Sequence, residues 1–540
     1  MTAQHYPVLV VGGGVVGLTA SLALSRLGVN SLLVEAHSGT HEHPRARSVN
    51  ARAMEVFREL GAADAVRDAG AHLAAAVGVL SGGTLAEALG PVARRTGPPE
   101  EESIFAPETV ARWSPTHGLR ATLDMVEPVL LEAARKGPGE LRFGTRRLAL
   151  HQDAHGVRAE LEETIDGTRQ QVTADYAIAA DGAGGGLRHE LRVPSTYGGS
   201  HGHQLNVLFH ADLGAFVRQR EFSLAMIDRP GLRGMLTSID NRSRWAFHIR
   251  YDPAAESPAH YPHTRCAEIV RTALGLDVPD LRVLSVLPWE ARERTLDRLR
   301  CGRVFFVGDS AHQMPPAGAR GASTGVADAH NLAWKLAATL RGRGSERLLD
   351  SYHDERHPAA VRAVADSGEN ARALNRGGGA AMAGRWSTPR AHGLGDRYRS
   401  TAVLGGSLGG SEDDTAAAAA QDLDGTPGTR VPHLWLDPEH RHSTVDLAAG
   451  EWILLADEGW REAAEAHGLR RTDPGPALAE RAGLDGAGGG TGAILLRPDS
   501  FIAWRAPVLP ADPTTALGRA LAELPGAPGT TVRPTCRVHR

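Results

Sequence analysis

Residues Val8 to Glu35, VLVVGGGVVGLTASLALSRLGVNSLLVE, leave this chain little freedom in how it begins to fold. An apolar run, a glycine-rich turn, a helical stretch and a second apolar run ending in an acid are the parts of a βαβ unit that holds a dinucleotide. Gly12 permits the tight turn, Gly14 lets backbone approach a pyrophosphate, and Gly17 lets the helix lie close on the sheet. The first N–H groups of the helix have no partner within it and face the phosphates. Glu35 falls where a ribose hydroxyl needs an acceptor. This motif alone leaves NAD and FAD both open.

A second segment, Gly302 to Leu336, is built the same way far downstream. Val304 to Val307 is an apolar strand, Gly308-Asp309 follows it, and a Pro/Gly loop then opens a long helix. An acid in Asp309's place, just after a strand, accepts a ribitol or ribose hydroxyl. Gly308 to His312, Pro315-Pro316, Gly318, Gly321, Gly325, Asp328-Ala329 and Asn331 to Leu336 resemble the second FAD signature of the flavoprotein aromatic hydroxylases, the single-component class A FAD-dependent monooxygenases. Asp181 to Arg188, after the apolar strand Tyr176 to Ala180, is similar to that family's DGxxSxxR segment. Pro44-Arg45-Ala46, Arg52 to Glu55 and Leu348 to Pro358 match as well. Ala493 to Ala506 resembles the last strands of the thioredoxin-like tail of phenol and polyketide hydroxylases. The likeness spans nearly the whole chain and is to bacterial aromatic polyketide hydroxylases in kind.

The resemblance implies an α/β (α+β) fold: a Rossmann-like FAD-binding domain, a β-sheet substrate domain and a C-terminal thioredoxin-like domain. The expected boundaries are 1–188 and 301–400 for the two parts of the FAD domain, 189–300 for the substrate sheet, and 401–540 for the C-terminal domain. It implies one non-covalent FAD, with NADPH or NADH as co-substrate, O2, and a polycyclic aromatic small molecule. Carried over by motif, the FAD residues are Gly12, Gly14, Gly17, Glu35, Arg45, Asp181, Gly182, Gly308, Asp309, Pro316, Gly318, Gly321 and Ser323. Arg47 and the loop residue Pro316 are the candidate catalytic positions. The implied chemistry is delivery of oxygen from a flavin C4a-hydroperoxide to an electron-rich ring, in secondary-metabolite biosynthesis. Baeyer–Villiger insertion or ring opening of a polycyclic quinone is the alternative. A non-oxygenating NAD(P)H oxidase or flavin-binding scaffold is the third reading.

The chain departs from the family at informative places. Gly185 stands where Ser is usual, Ala319 where a loop Gly is usual, and Ser323 where an Asn begins a helix beside the flavin. Leu123 replaces a Gln that touches FAD. Arg47 replaces a small residue, at a position where simple phenol hydroxylases carry an acid. Two readings of Arg47 stand: a solvated or phosphate-facing cation, or one beside the flavin that stabilises an oxyanion. His312 tempts assignment as a base, but a packing or capping role suits its place in the motif.

Composition fits a large enzyme of several cores: 540 residues, 42% hydrophobic, net charge −4. That balance gives no footprint for nucleic acid. Without a run of 18 apolar residues, no membrane span or signal peptide is expected, and the cytoplasm is the natural compartment. Cys266, Cys301 and Cys536 are too scattered for a metal site or a CxxC pair, so no metal is expected and the C-terminal domain is read as packing or dimer-forming. The protein is expected as a monomer or homodimer. Arg244 to Tyr251 alternates apolar and polar residues as a half-buried strand does. Gly90 to Glu102 reads as a loop, Gly377 to Gly410 as a linker, and Ala416 to Ala420 as a featureless alanine run.

Overall fold

The computed structural model describes residues 3–73, 78–90, 105–375, 389–405, 423–484 and 491–529. Positions 91–102 of the expected loop, 377–388 and 406–410 of the expected linker, Ala416 to Ala420 and Cys536 lie outside them.

The first motif forms a βαβ unit: strand Gln4–Val11, helix Val15–Arg26 and strand Ser31–Glu35, whose five residues are all buried. Strand segments covered on both faces are apolar, as Val8 to Val11 and Leu32 to Val34 are. They belong to an eight-stranded sheet in which Val304–Phe306, Arg169–Ala179, Gln4–Val11, Ser31–Glu35 and Glu140–Phe143 run side by side and parallel. Register brings the three motifs to one edge: Val11 pairs with Val34 and Ala179, and Ala179 pairs with Phe306. Ligands of parallel sheets sit outside these carboxyl ends. The helix Gly321–Leu340 packs on Val15–Arg26, and Gly325 makes room: a Cβ there would stand 2.5 Å from Val16 Cγ2.

A second, seven-stranded sheet is built from Ser195–His210, Leu224–Arg229, Leu232–Ser238, Arg244–Tyr251 and Arg282–Leu296, with two short outer strands. Those two are Val79–Gly82, parallel to Leu224–Arg229, and His312–Gln313 from the second motif. The alternation read in Arg244 to Tyr251 is present. Trp245, Phe247 and Ile249 join Leu205, Val207 and Phe209 in a core closed by Cys266 and Val270 of the helix His263–Leu274.

The C-terminal sheet runs Arg470–Thr472, Ile453–Ala456, Thr491–Leu496, Ile502–Val508. Its first two strands are parallel and the last two antiparallel. With the helices between them, this is the βαβαββα order of a thioredoxin-like unit. It docks through buried charge: Glu355 accepts from Lys335 Nζ (2.7 Å), Ser400 Oγ (2.7 Å) and Arg497 Nη2 (2.9 Å), and Arg497 also pairs with Asp499. Among the described residues no helix is long and apolar enough to cross a membrane.

Candidate active site

At the common edge of the parallel strands each motif glycine has its own reason. Gly12 has φ +113°, and a Cβ there would stand 2.2 Å from the Ala180 carbonyl oxygen. A Cβ on Gly17 would meet the Gly12 oxygen at 1.9 Å, so helix and turn touch only through glycine. Gly14 differs: its φ is −75°, which suits any residue, and its nearest neighbour would be Glu127 Oε1 at 3.5 Å. The protein itself does not need a glycine there; a ligand passing over the turn does.

Glu35 Oε2 accepts from the Gly13 N–H (2.7 Å) and Oε1 from the His37 N–H (2.9 Å). Burial would raise its carboxyl pKa, but the bonds from His37 and Gly13 outweigh burial and bring it below the ordinary value. An ionised carboxylate has about four acceptor positions, so capacity remains for a ribose hydroxyl. The N–H of Val15, at the helix start, donates to Glu127 Oε1 (3.1 Å), whose Oε2 accepts from the His41 N–H (3.1 Å). Sequence reasoning missed Glu127. Its signal was an acid among Leu123, Val126, Leu130 and Leu131 on the buried face of the helix Leu123–Arg135.

The second and third motifs supply two further acids. Asp181 Oδ2 accepts from the Leu187 N–H (2.9 Å), while Oδ1 is buried without a hydrogen-bond partner among the described residues. Burial pushes this carboxyl up. Asp309 has no side-chain hydrogen bond among the described residues. Part of its surface is exposed, while the protein packed around it raises its carboxyl pKa by burial against the pull of His312, Arg45 and Arg188. Arg45 is exposed, so its side chain is available to the same ligand. A Cβ on Gly321 would lie 3.9 Å from Asp309 Oδ1, which sets the uncapped start of the helix Gly321–Leu340 beside the carboxylate.

The connecting loop keeps its shape at a cost. Pro316 is exposed and its carbonyl accepts from the Ala319 N–H (3.1 Å). Gly318 has φ +100°, and Ala319 has φ +52°, a left-handed conformation that favours glycine but here is held by an alanine. Gly182 has φ +69° in open space, and Gly308 has φ +60° against Val16. Gly185, where Ser is usual, is left-handed at φ 53°, and a Cβ would press on Arg188 Nη1 at 1.9 Å. The Ser323 hydroxyl accepts from the Asn50 N–H (3.0 Å), tying the helix start to the Arg45–Arg52 segment. Leu123 is buried and brings no polar group.

His312 has no exposed side-chain surface; its Nε2 lies 2.7 Å from Asp328 Oδ2, which also accepts from the Gly308 N–H (3.1 Å). It braces the motif from behind. Arg47 is partly buried. Its Nη1 donates to the carbonyls of Ser223 (2.7 Å) and Ser238 (3.1 Å), at the seam between the cofactor loop and the second sheet. Burial pulls its pKa down to about 10, helped by Arg120, which leaves a cation at neutral pH.

An open glycine, two helix starts, and three acids with acceptor capacity to spare fit a long dinucleotide with hydroxyls at both ends. Comparison with known proteins agrees. Residues 5–367 match the FAD binding domain family and 424–528 the aromatic-ring hydroxylase C-terminal family. Tetracenomycin B2 monooxygenase-dioxygenase of Streptomyces olivaceus is 40% identical, over 97% of this chain and 99% of its own. Aklavinone 12-hydroxylase of Streptomyces purpurascens is 34% identical, over 96% and 98%. The crystal structure of a ternary complex of aklavinone-11 hydroxylase with FAD and aklavinone superposes with a TM-score of 0.82 at 32% identity, covering 97% of this chain and 100% of that one. FAD is the cofactor, and the chain belongs to the FAD-dependent aromatic-ring hydroxylases, a family of monooxygenases.

Proposed function

We propose that this protein hydroxylates a polycyclic aromatic polyketide with NADPH or NADH and O2, in antibiotic or related secondary-metabolite biosynthesis. The observation that carries this is a broad sheet latched over the cofactor loops. Arg47 bonds its strand ends, and Arg244 Nη2 donates to Asp124 Oδ2 at 2.8 Å. The full-length relatives named for tetracenomycin and aklavinone support a polyketide as the molecule held between them.

FAD, once bound and reduced, supplies the activation of O2. The chain's part is to orient a ring and keep water from the reacting centre. Gly12 to Val15, Glu35, Arg45, Asp181 and Asp309 hold the cofactor. The Arg47 cation at the seam favours an ionised phenol, whose ring carbon is then nucleophilic, so a strong side-chain base is not required.

The test is incubation of the FAD-loaded enzyme with aklavinone and other tetracyclic hydroxyquinones, each nicotinamide and 18O2, with products read by mass. One labelled oxygen per turnover is expected, together with anaerobic FAD reduction that the polycycle accelerates. Nicotinamide oxidation that yields hydrogen peroxide alone, across the panel, overturns the proposal. The relatives' designation as monooxygenase-dioxygenases, at 40% and 38% identity, favours a second reading in which more than one oxygen enters. Two or more labelled oxygens would establish it, and a lactone or opened ring would mark Baeyer–Villiger chemistry.

A further inference from the structure

The two faces of the latched sheet differ. One carries the apolar core with Trp245, Phe247 and Ile249. Residues paired directly across antiparallel strands share a face, and register assigns the other. Met235 pairs with His248, His248 with Asn206, and Asn206 with Leu287. One pleat away Thr237, Ala246, Leu208 and Ser285 are linked in the same way, and Gln204 pairs with Trp289. Arg244 lies on this face by alternation and reaches Asp124 of the cofactor domain, so the face looks toward the FAD cleft.

Among the described residues, five side chains on it each carry a buried polar atom without a hydrogen-bond partner: Asn206 Oδ1, Thr237 Oγ1, His248 Nδ1, Ser285 Oγ and Trp289 Nε1. Orphaned buried groups are rare and costly, and five on one face call for something that satisfies them. Leu208, Met235 and Leu287 lie between them, and Leu287 is 38% exposed although it faces the cofactor domain. This is the pattern of a surface for a flat apolar body with polar edges. Its width from the Thr237 strand to the Ser285 strand is three interstrand spacings, about 14 Å, far more than one phenol ring needs.

Resting on the function proposed above, we infer that this face recognises the oxygenated edge of the substrate and that His248 orients it. The ligand is a planar fused-ring hydroxyquinone with hydroxyl and carbonyl oxygens along its long edge. The unpartnered atoms suit both kinds of oxygen, since Asn206 Oδ1 accepts from a hydroxyl. Trp289 Nε1–H only donates, whereas the Thr237 and Ser285 hydroxyls and a neutral imidazole serve either way. His248 stands mid-sheet, edge-on to Trp289 with ring centroids 6.0 Å apart. Burial, then the charges of Arg47 and His43, hold its pKa at about 3, so it meets the ligand uncharged. A site built to bond a hydroxyl rejects the analogue that lacks it.

The experiment measures binding of 1,8-dihydroxyanthraquinone and its 1,8-dimethyl ether to the FAD-loaded protein by equilibrium dialysis without nicotinamide. Wild type is expected to prefer the dihydroxy compound by about tenfold or more. His248→Leu should lose most of that preference while keeping its affinity for the ether, and His248→Gln should restore part of it. Should His248→Leu fail to hold FAD, the Thr237→Val, Ser285→Ala double variant makes the same comparison. A preference unchanged in these variants, or absent from wild type that binds both quinones, overturns the inference alone. Wild type that binds neither quinone but oxygenates a monocyclic phenol overturns the polycyclic reading and this inference with it.

Discussion

Asp309 shows how little a single residue reveals until the fold surrounds it. In sequence it is an acid after a strand; in the structure it is a carboxylate beside a helix start, with no side-chain hydrogen bond among the described residues. Its loss removes a charge-assisted acceptor worth roughly 1.5–3 kcal/mol. Asp309→Ala should therefore weaken FAD at least about tenfold, measured as a dissociation constant by flavin fluorescence. An unaltered constant would mean that the carboxylate serves the loop rather than the cofactor. Ala319 carries the opposite lesson. Its left-handed φ of +52° costs an L-residue about 1–2 kcal/mol. Glycine's extra freedom in the unfolded chain returns about 0.5–1 kcal/mol of that. Ala319→Gly should raise the urea midpoint of the holoenzyme by a net gain under about 1 kcal/mol; a lower midpoint would show that the methyl group packs usefully.

Among the elements, the glycine turn and its helix separate two demands that one motif hides. Gly17 answers to packing, because a Cβ would collide with the Gly12 oxygen at 1.9 Å. Gly14 answers to the ligand, because a Cβ there meets only Glu127 at ordinary contact distance. Gly17→Ala should destabilise even the FAD-free protein, by about 1–3 kcal/mol as overpacked sites do. Gly14→Val should leave the FAD-free melting temperature near wild type and abolish the yellow colour. Equal melting losses in both variants would refute the distinction. The strands of all three motifs were legible because apolar runs and turn glycines are local signals. Val79–Gly82 was not seen as part of the roof, because its partner Leu224–Arg229 lies far along the chain and nothing in four residues announces a parallel pairing.

The whole molecule is held by charge buried between its parts. Arg497 bridges Glu355 and Asp499 with no exposed side-chain surface, and pairing overcomes a burial that opposes charge on all three. Arg497→Leu would strand two carboxylates, and losses of about 3–5 kcal/mol attend such a break. Calorimetry should show the melting temperature falling with it; a small change would mean that Lys335 alone neutralises the cluster. Acid should act through buried histidine. Burial, then Arg430, lowers the His433 pKa from 6.5 to about 4. Between those values the unfolded chain holds the proton and the folded one does not, so stability falls as pH drops from about 6.5 toward 4. His433→Gln should flatten urea-unfolding stability in that window by about 1.4 kcal/mol per pH unit. A slope identical to wild type would assign the proton to another group.

What the sequence determined by itself was local and steric. Glycine at 12 and 17, apolar runs of strand length and the acids Glu35, Asp181 and Asp309 after three strands follow from chain geometry over a few residues and specify a dinucleotide fold; FAD rather than NAD came from the resemblance of the second motif. Only the tertiary structure decided what those pieces face. Register laid Val11, Ala179 and Phe306 edge to edge. The seam between domains turned Arg47 onto the carbonyls of Ser223 and Ser238, a choice that depended on strands some 180 residues away. Whether the polar residues of a half-buried strand look at water or at a cofactor is likewise invisible in a period of two. In the structure Arg244 and Arg47 tie the sheet to the cofactor domain, and among the described residues Asn206 Oδ1, Thr237 Oγ1, His248 Nδ1, Ser285 Oγ and Trp289 Nε1 are buried without a hydrogen-bond partner.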